Sequence, residues 1–283
     1  MQLLRSSPWA LGAAGVLVTL IAFLCGFALF FPAQSLRPRL EAEGTKRGLR
    51  LTIKTLETTF PFGLAAKEVT IGGNAKESGG VKVERLILRP AWSRLLLGQA
   101  ALAYDATLLD GRIQGIVSRR GSVTLQGEGI SWRGALPGQS GGTLVTQGCG
   151  GDLSIYWPAA ADDALHLALN CEQARVEGLL GAKEPLLLGS ITLNASGKGK
   201  DLRLTTLTAS GGQLGVDGSG TILLNAPFGR SLLNLNLTLR GRPGLNPTLA
   251  ELLAAFVPPT TDGTSRLRLT GTLAAPQQIS ANR

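Results

Sequence analysis

The sequence predicts a mainly β protein: a single N-terminal transmembrane helix followed by a curved, largely antiparallel β-sheet domain with few short helices. Three observations point there. No charged residue occurs between Pro8 and Ala33. Beyond that stretch, apolar and polar residues alternate in runs of strand length, and such alternation places the apolar set on one face of a sheet. Finally, 38 glycines set against 5 % aromatics favour many strands joined by tight turns over a large aromatic-filled core.

The first element is the anchor. The stretch from Leu11 to Phe30, LGAAGVLVTLIAFLCGFALF, is 20 residues long, and as a helix it crosses a hydrocarbon core of about 30 Å. A cleaved signal peptide is the competing reading, with Gly26-Phe27-Ala28 as a small-residue cleavage site. The apolar run exceeds the usual h-region, so length favours a retained anchor. A lipoprotein signal does not fit, because Leu24 is bulky where a small residue must precede Cys25. Locally the charge count opposes export: Arg37, Arg39, Lys46 and Arg47 follow the run, and only Arg5 and the amino terminus precede it. Large domains translocate largely regardless of such counts, so a short inner tail with the bulk exported is allowed. The layout expected is an anchor over 1–33, a juxtamembrane stalk over 34–48 and one β-rich domain over 49–283.

The stalk, QSLRPRLEAEGTKR, reads as a short amphipathic helix interrupted by Pro38 and Gly44. Strand patterns follow. Leu49, Leu51 and Ile53 alternate with Arg50, Thr52 and Lys54, and Val81, Val83, Leu86 and Leu88 come next. Asp110-Gly111, between TLL and RIQGIV, is a two-residue hairpin signal. Leu165, Leu167 and Leu169, then Leu202 and Leu204, continue the pattern; Leu233, Leu235, Leu237 and Leu239 alternate with Asn234, Asn236 and Thr238, and Leu267 and Leu269 close it. Glycine pairs at 72–73, 79–80, 141–142, 150–151 and 211–212 read as breaks, and Gly138–Gly142 as the most flexible of them. Two further helices are expected, over Ala91–Leu97 and over Pro247–Phe256, the second with Asn246 as N-cap and Pro247 at its first position. So few helices leave the sheet's apolar face to curl, to pair with another sheet, or to meet a partner or lipid.

Chemistry is scarce. Cys149 and Cys171 lie 22 positions apart in the β-rich part. They form one disulfide in an oxidising compartment or remain two unpaired thiols, and spacing alone leaves both open. There is no CxxC and no Cys/His cluster, so no zinc site is expected. The single histidine, His166, sits in ALHLALN as a polar-face strand residue with no nucleophile or ligand partner. Asp162-Asp163 reads as a loop pair and Lys198-Gly199-Lys200 as a basic turn. Trp9 fits a membrane interface, while Trp92, Trp132 and Trp157 read as core or edge residues. No catalytic, cofactor-binding or metal-binding residues are assigned. The net charge of +9 is dispersed, as at Arg112, Arg119, Arg203, Arg240 and Arg268, which argues for solvated strand faces or attraction to a lipid surface and against a nucleic-acid partner.

The order of features resembles the type II secretion system protein N family (general secretion pathway protein N) and, at the C-terminus, the related AsmA-like proteins. Phe31-Pro32-Ala33 matches the "FPA" helix end, Phe60-Pro61-Phe62-Gly63-Leu64 the "FPxGL" turn, and Leu269-Thr270-Gly271-Thr272-Leu273-Ala274-Ala275-Pro276 the closing "GTLxxP". The match covers both ends, and the middle only by pattern. It implies a single-pass bacterial inner-membrane protein with its C-terminal domain in the periplasm. The expected role is non-enzymatic and accessory to a protein secretion machine. Other secretion subunits and the bilayer are its expected partners. The AsmA-like alternative is a periplasmic lipid-binding or lipid-transfer protein whose curved sheet takes a lipid ligand. The Cys149/Cys171 pair has no counterpart in these motifs.

Overall fold

The computed structural model describes Thr19 and residues 32–46, 49–59, 62–73, 81–136, 142–156, 160–225, 228–261 and 263–280. The expected anchor, Leu11 to Phe30, therefore lies outside the described residues apart from Thr19, as do Trp9, Trp157 and most of the 138–142 break. Among the described residues no helix is long and apolar enough to cross a membrane. Among the described residues the fold is mainly β, with 14 antiparallel strands and few helices. The chain divides after Pro90 into two compact units.

In the first unit, α1 (Ala33–Lys46) precedes the strands β1 (Leu49–Thr59), β2 (Gly63–Gly73) and β3 (Val81–Pro90). Pro38 is inside α1; lying past the first turn, it removes the donor that would bond the Gln34 carbonyl and crowds that carbonyl, which weakens the helix there. The three strands form an antiparallel meander in which Ile53 faces Val69 and Val69 faces Val83. All three are buried, so a single cross-strand row forms the centre of this small core.

α1 is tied to β1 by polar contacts. The Glu41 carboxylate accepts the Ile53 N–H at 2.9 Å and the Arg37 Nε–H at 3.1 Å. Arg37 also donates from Nη1 to the Lys54 carbonyl at 3.1 Å. The Ile53 N–H and the Arg37 guanidinium together hold the Glu41 carboxyl below the usual glutamate range. A carboxylate whose folded pKa is depressed stabilises the fold above its unfolded pKa, and loses that contribution as pH falls through the folded value. Acidification below the ordinary glutamate range should therefore loosen α1 from β1. Glu41→Gln should produce the same loosening at neutral pH, by about 1 kcal/mol for a charge-assisted hydrogen bond made neutral. Amide exchange at Ile53, followed against pH in both forms, checks this; a pH dependence that survives in Glu41→Gln assigns it to another group.

The second unit begins with α2 (Trp92–Leu96) and continues through β4 (Ala101–Leu108), β5 (Gly111–Ser118), β6 (Ser122–Ala135), β7 (Thr143–Tyr156) and β8 (Ala164–Glu177). After these come β9 (Leu186–Lys198), β10 (Asp201–Gly211), β11 (Leu214–Leu223), β12 (Leu232–Gly241), α3 (Pro247–Phe256), β13 (Thr264–Thr272) and β14 (Pro276–Ser280). From β4 to β14 each strand pairs antiparallel with its neighbours in chain order. Both expected helices are present. At α3 the Asn246 side chain accepts the Thr248 N–H at 2.9 Å, the cap expected for a helix opening on proline.

Two expectations about glycine need correction. Gly150-Gly151 is no break but lies inside β7, where neighbouring pairing outweighs the low strand preference of glycine. The β4–β5 turn is not centred on Asp110-Gly111. Leu108 pairs with Gly111, so the two loop residues are Leu109 and Asp110, at φ 52° and 63°. Gly111 is needed for a different reason: a Cβ there would meet the Glu128 carbonyl and the Ile130 nitrogen at 2.6 Å. Leucine at a positive φ costs on the order of 1 kcal/mol, and asparagine tolerates that region far better. Leu109→Asn should thus stabilise the chain by about 1 kcal/mol, read from a urea midpoint that rises at unchanged m.

Candidate functional site

The second unit carries a leucine-rich face, and register places its residues there. Leu202, Leu204, Leu207 and Ala209 do not keep strict alternation along β10. Leu204 pairs with Ala195, Thr206 with Asn194 and Leu207 with Leu193, so Thr205 is the extra residue of a bulge. The bulge returns Leu207 to the face of Leu204. Around Leu165, Ala195, Leu202 and Leu204, all buried, pack Ile155, Leu167, Leu193, Leu207, Ile222 and Leu235. A second cluster, of buried Val176, Leu186 and Leu214, is capped by Leu249 of α3, itself only 2 % exposed.

The β12 run lies between these two clusters. Leu235 packs on the first and Leu239 on the second, while Asn234 and Asn236 point to the exposed side. Arg268 donates from Nε to the Asn234 side-chain oxygen at 3.0 Å on that polar side. Leu233 is buried, but Leu235, Leu237 and Leu239 are only half-buried. The face is thus neither sealed like a closed core nor bare.

Cys149 and Cys171 are opposite each other on β7 and β8 and are joined by a disulfide. Both are buried, at 5 % and 3 % exposure. The bridge sits beside Gly148, at φ +62°, where the chain turns in a conformation that other residues resist. It ties together two strands whose mutual register is unbroken there, while the pairing of β7 with β6 and of β8 with β9 shifts beside the two cysteines.

The remaining residues singled out in the sequence do not converge. His166 is exposed on β8, between Ser154 and Ser196 on the flanking strands. Asp163 accepts the Ala160 N–H at 2.7 Å and so shapes its own turn. The turn at Lys198-Gly199-Lys200 receives support from the same loop, Gly199 N–H donating to the Asp163 carbonyl at 2.8 Å. Trp92 and Trp132 are 49 % and 43 % exposed, so neither is a core residue. Several cations lie in solvated strand pairs, with Arg112 on Asp105 and with Arg133 and Arg175 both on Glu177. The hydrogen bond from Arg175, with Arg133 adding its charge, holds the Glu177 carboxyl below the usual range. Among the described residues no group of His, Cys, Asp and Glu is placed to hold a metal ion.

At the end of the sheet, β14 pairs only with β13 among the described residues, from Leu267–Ser280 to Gly271–Pro276. Its Ile279 side chain is 51 % exposed. No known protein family, curated protein or solved structure matches the chain.

Proposed function

We propose that the chain is a non-enzymatic accessory component of the type II protein secretion system. In this reading residues 1–33 hold it in the bacterial inner membrane as a single-pass protein. The β domain lies in the periplasm and engages other secretion subunits. The observation that carries the reading is the outer edge at β14, which pairs with no strand but β13 among the described residues and so leaves a sheet edge for main-chain pairing with a partner strand. The strand is short and opens on Pro276, features that restrain indiscriminate edge pairing.

Two further observations support it. Two of the three segments that resemble the secretion family adjoin hairpin turns: Phe62 at φ 54° leads into β2, and Gly271 at φ 89° precedes the β13–β14 turn. The buried Cys149–Cys171 bridge suits an exported domain, because disulfides persist in oxidising compartments. A photo-crosslinking residue in place of Ile279, with one in place of Asn236 as the mid-sheet control, tests the reading in intact cells. Crosslinks from position 279 to a secretion subunit, absent from 236, are expected. No crosslink to any secretion subunit, together with normal secretion in a strain lacking the chain, overturns it.

The half-buried Leu235, Leu237 and Leu239 favour a second reading, an AsmA-like lipid-binding or lipid-transfer protein. An acyl chain laid over that face would complete the burial that neighbouring strands leave unfinished. Under this reading the purified chain retains lipid in fixed proportion, and Leu237→Asp loses the lipid with near-normal melting. Under the first reading no stoichiometric lipid is found.

A further inference from the structure

The segment opening the second unit is unusual for its exposed apolar surface. Of α2 and the residue after it, Trp92 is 49 %, Leu95 39 %, Leu96 88 % and Leu97 75 % exposed. The adjoining strand pair continues the pattern: Leu102 faces Val117, at 52 % and 39 % exposure. Consecutive leucines at this exposure are not scattered surface residues of the ordinary kind, and a contiguous patch marks a contact surface.

Cations border it. Arg94 lies within α2, and Arg119 and Arg120 form the β5–β6 turn, tied to the stretch between α2 and β4 by the Arg119 N–H donating to the Ala100 carbonyl at 2.9 Å. The three arginines line one pocket of about 550 Å³ together with Gln99, Ser118, Ser122 and Tyr156, and no carboxylate lines it. Neither Arg119 nor Arg120 forms an ion pair among the described residues, whereas other strand cations do.

We propose that α2 and the β5–β6 turn form a docking tip for an anionic phospholipid bilayer. Leu96 and Leu97 enter the acyl boundary, Trp92 lies at the headgroup level, and Arg94, Arg119 and Arg120 hold headgroup phosphates. Charge complementarity selects this occupant: a leucine tip flanked by tryptophan and unpaired arginine has the composition of interfacial anchors, and an apolar protein partner would leave the three cations without counter-charge. The tip is independent of the secretion reading, and serves equally any chain working beside a membrane.

The test uses the intact chain with Cys25→Ser, so that a single introduced thiol reacts. An environment-sensitive dye is placed at Leu96→Cys, or at Leu187→Cys, 45 % exposed at the opposite strand end. Each protein is reconstituted in phosphatidylcholine vesicles with or without phosphatidylglycerol, some carrying brominated acyl chains. Blue-shifted emission and bromine quenching at position 96, absent at 187 and dependent on phosphatidylglycerol, are expected. Arg119→Gln/Arg120→Gln should shift the docking equilibrium about thirty-fold toward the undocked form. A dye at 96 as water-exposed as that at 187 overturns the proposal. So does equal quenching without phosphatidylglycerol, or shielding that appears only when other secretion subunits are added.

Discussion

Leu204→Asp should destabilise the second unit by about 4 kcal/mol or more, and leave little folded protein at physiological temperature. Leu204 is 3 % exposed and packs with Leu165, Ala195 and Leu202. The bulge at Thr205 holds the flanking register, so the strand cannot slip to move the new charge outward without displacing Leu202 and Leu207 as well. Asn236→Asp is the matched comparison. It lies on the exposed side of β12, opposite Arg268, and should change stability by about 0.5 kcal/mol or less. Leu235→Asp should fall between the two, since Leu235 is only half-buried. Urea unfolding of the intact chain, with two probes to check coincidence of the transitions, orders the three. Equal effects at 204 and 236 would show that the leucine face is not the core.

Removal of the disulfide has the second largest expected effect. Cys149→Ala/Cys171→Ala should lower stability by about 3 kcal/mol, the loop-closure value for a bridge spanning this length of chain. The side chains removed are small, so the packing loss they add is minor beside that entropic term. The decrease should appear between oxidised and reduced wild-type protein too, and vanish between oxidised and reduced double variant. Thiol labelling of denatured, unreduced protein should modify Cys25 and leave Cys149 and Cys171 unmodified. Labelling of all three would remove the basis of the prediction.

These expectations show which parts of the fold could be read from the sequence. The strand content, the alternation on β12 and both helices of the second unit follow from local patterns, because period-two alternation and a capped proline-led helix are near-neighbour properties. The division after Pro90 has no mark in composition, since it depends on which segments pack together. Asp-Gly, a strong turn signal, points one residue past the β4–β5 turn, because the demand on Gly111 comes from the backbone of β6, which a local pattern does not reveal. Similarly, the bulge at Thr205 is invisible until β9 supplies the register. The cysteine pairing needed the same information: spacing left it open, and only the alignment of β7 with β8 brings the two positions opposite each other. The residues of the α2 tip were legible as a helix, but not as exposed, because WSRLLLG taken alone resembles a short buried segment.

The chain-order arrangement of β4 to β14 bears on how the unit acquires its structure. Most of its strands find their partner one hairpin away, so the loops that must close before pairing begins are short. Such a topology has low contact order for an all-β protein and should fold faster than Greek-key sandwiches of similar size. Only β12 and β13 are separated by a longer connection, the segment containing α3. A chain delivered from its N-terminal side can therefore add strand upon strand as it emerges, each new hairpin finding the previous edge already formed. Until the next strand arrives, that growing edge is the aggregation-prone surface, and slow delivery rather than slow pairing would set how long it stays open.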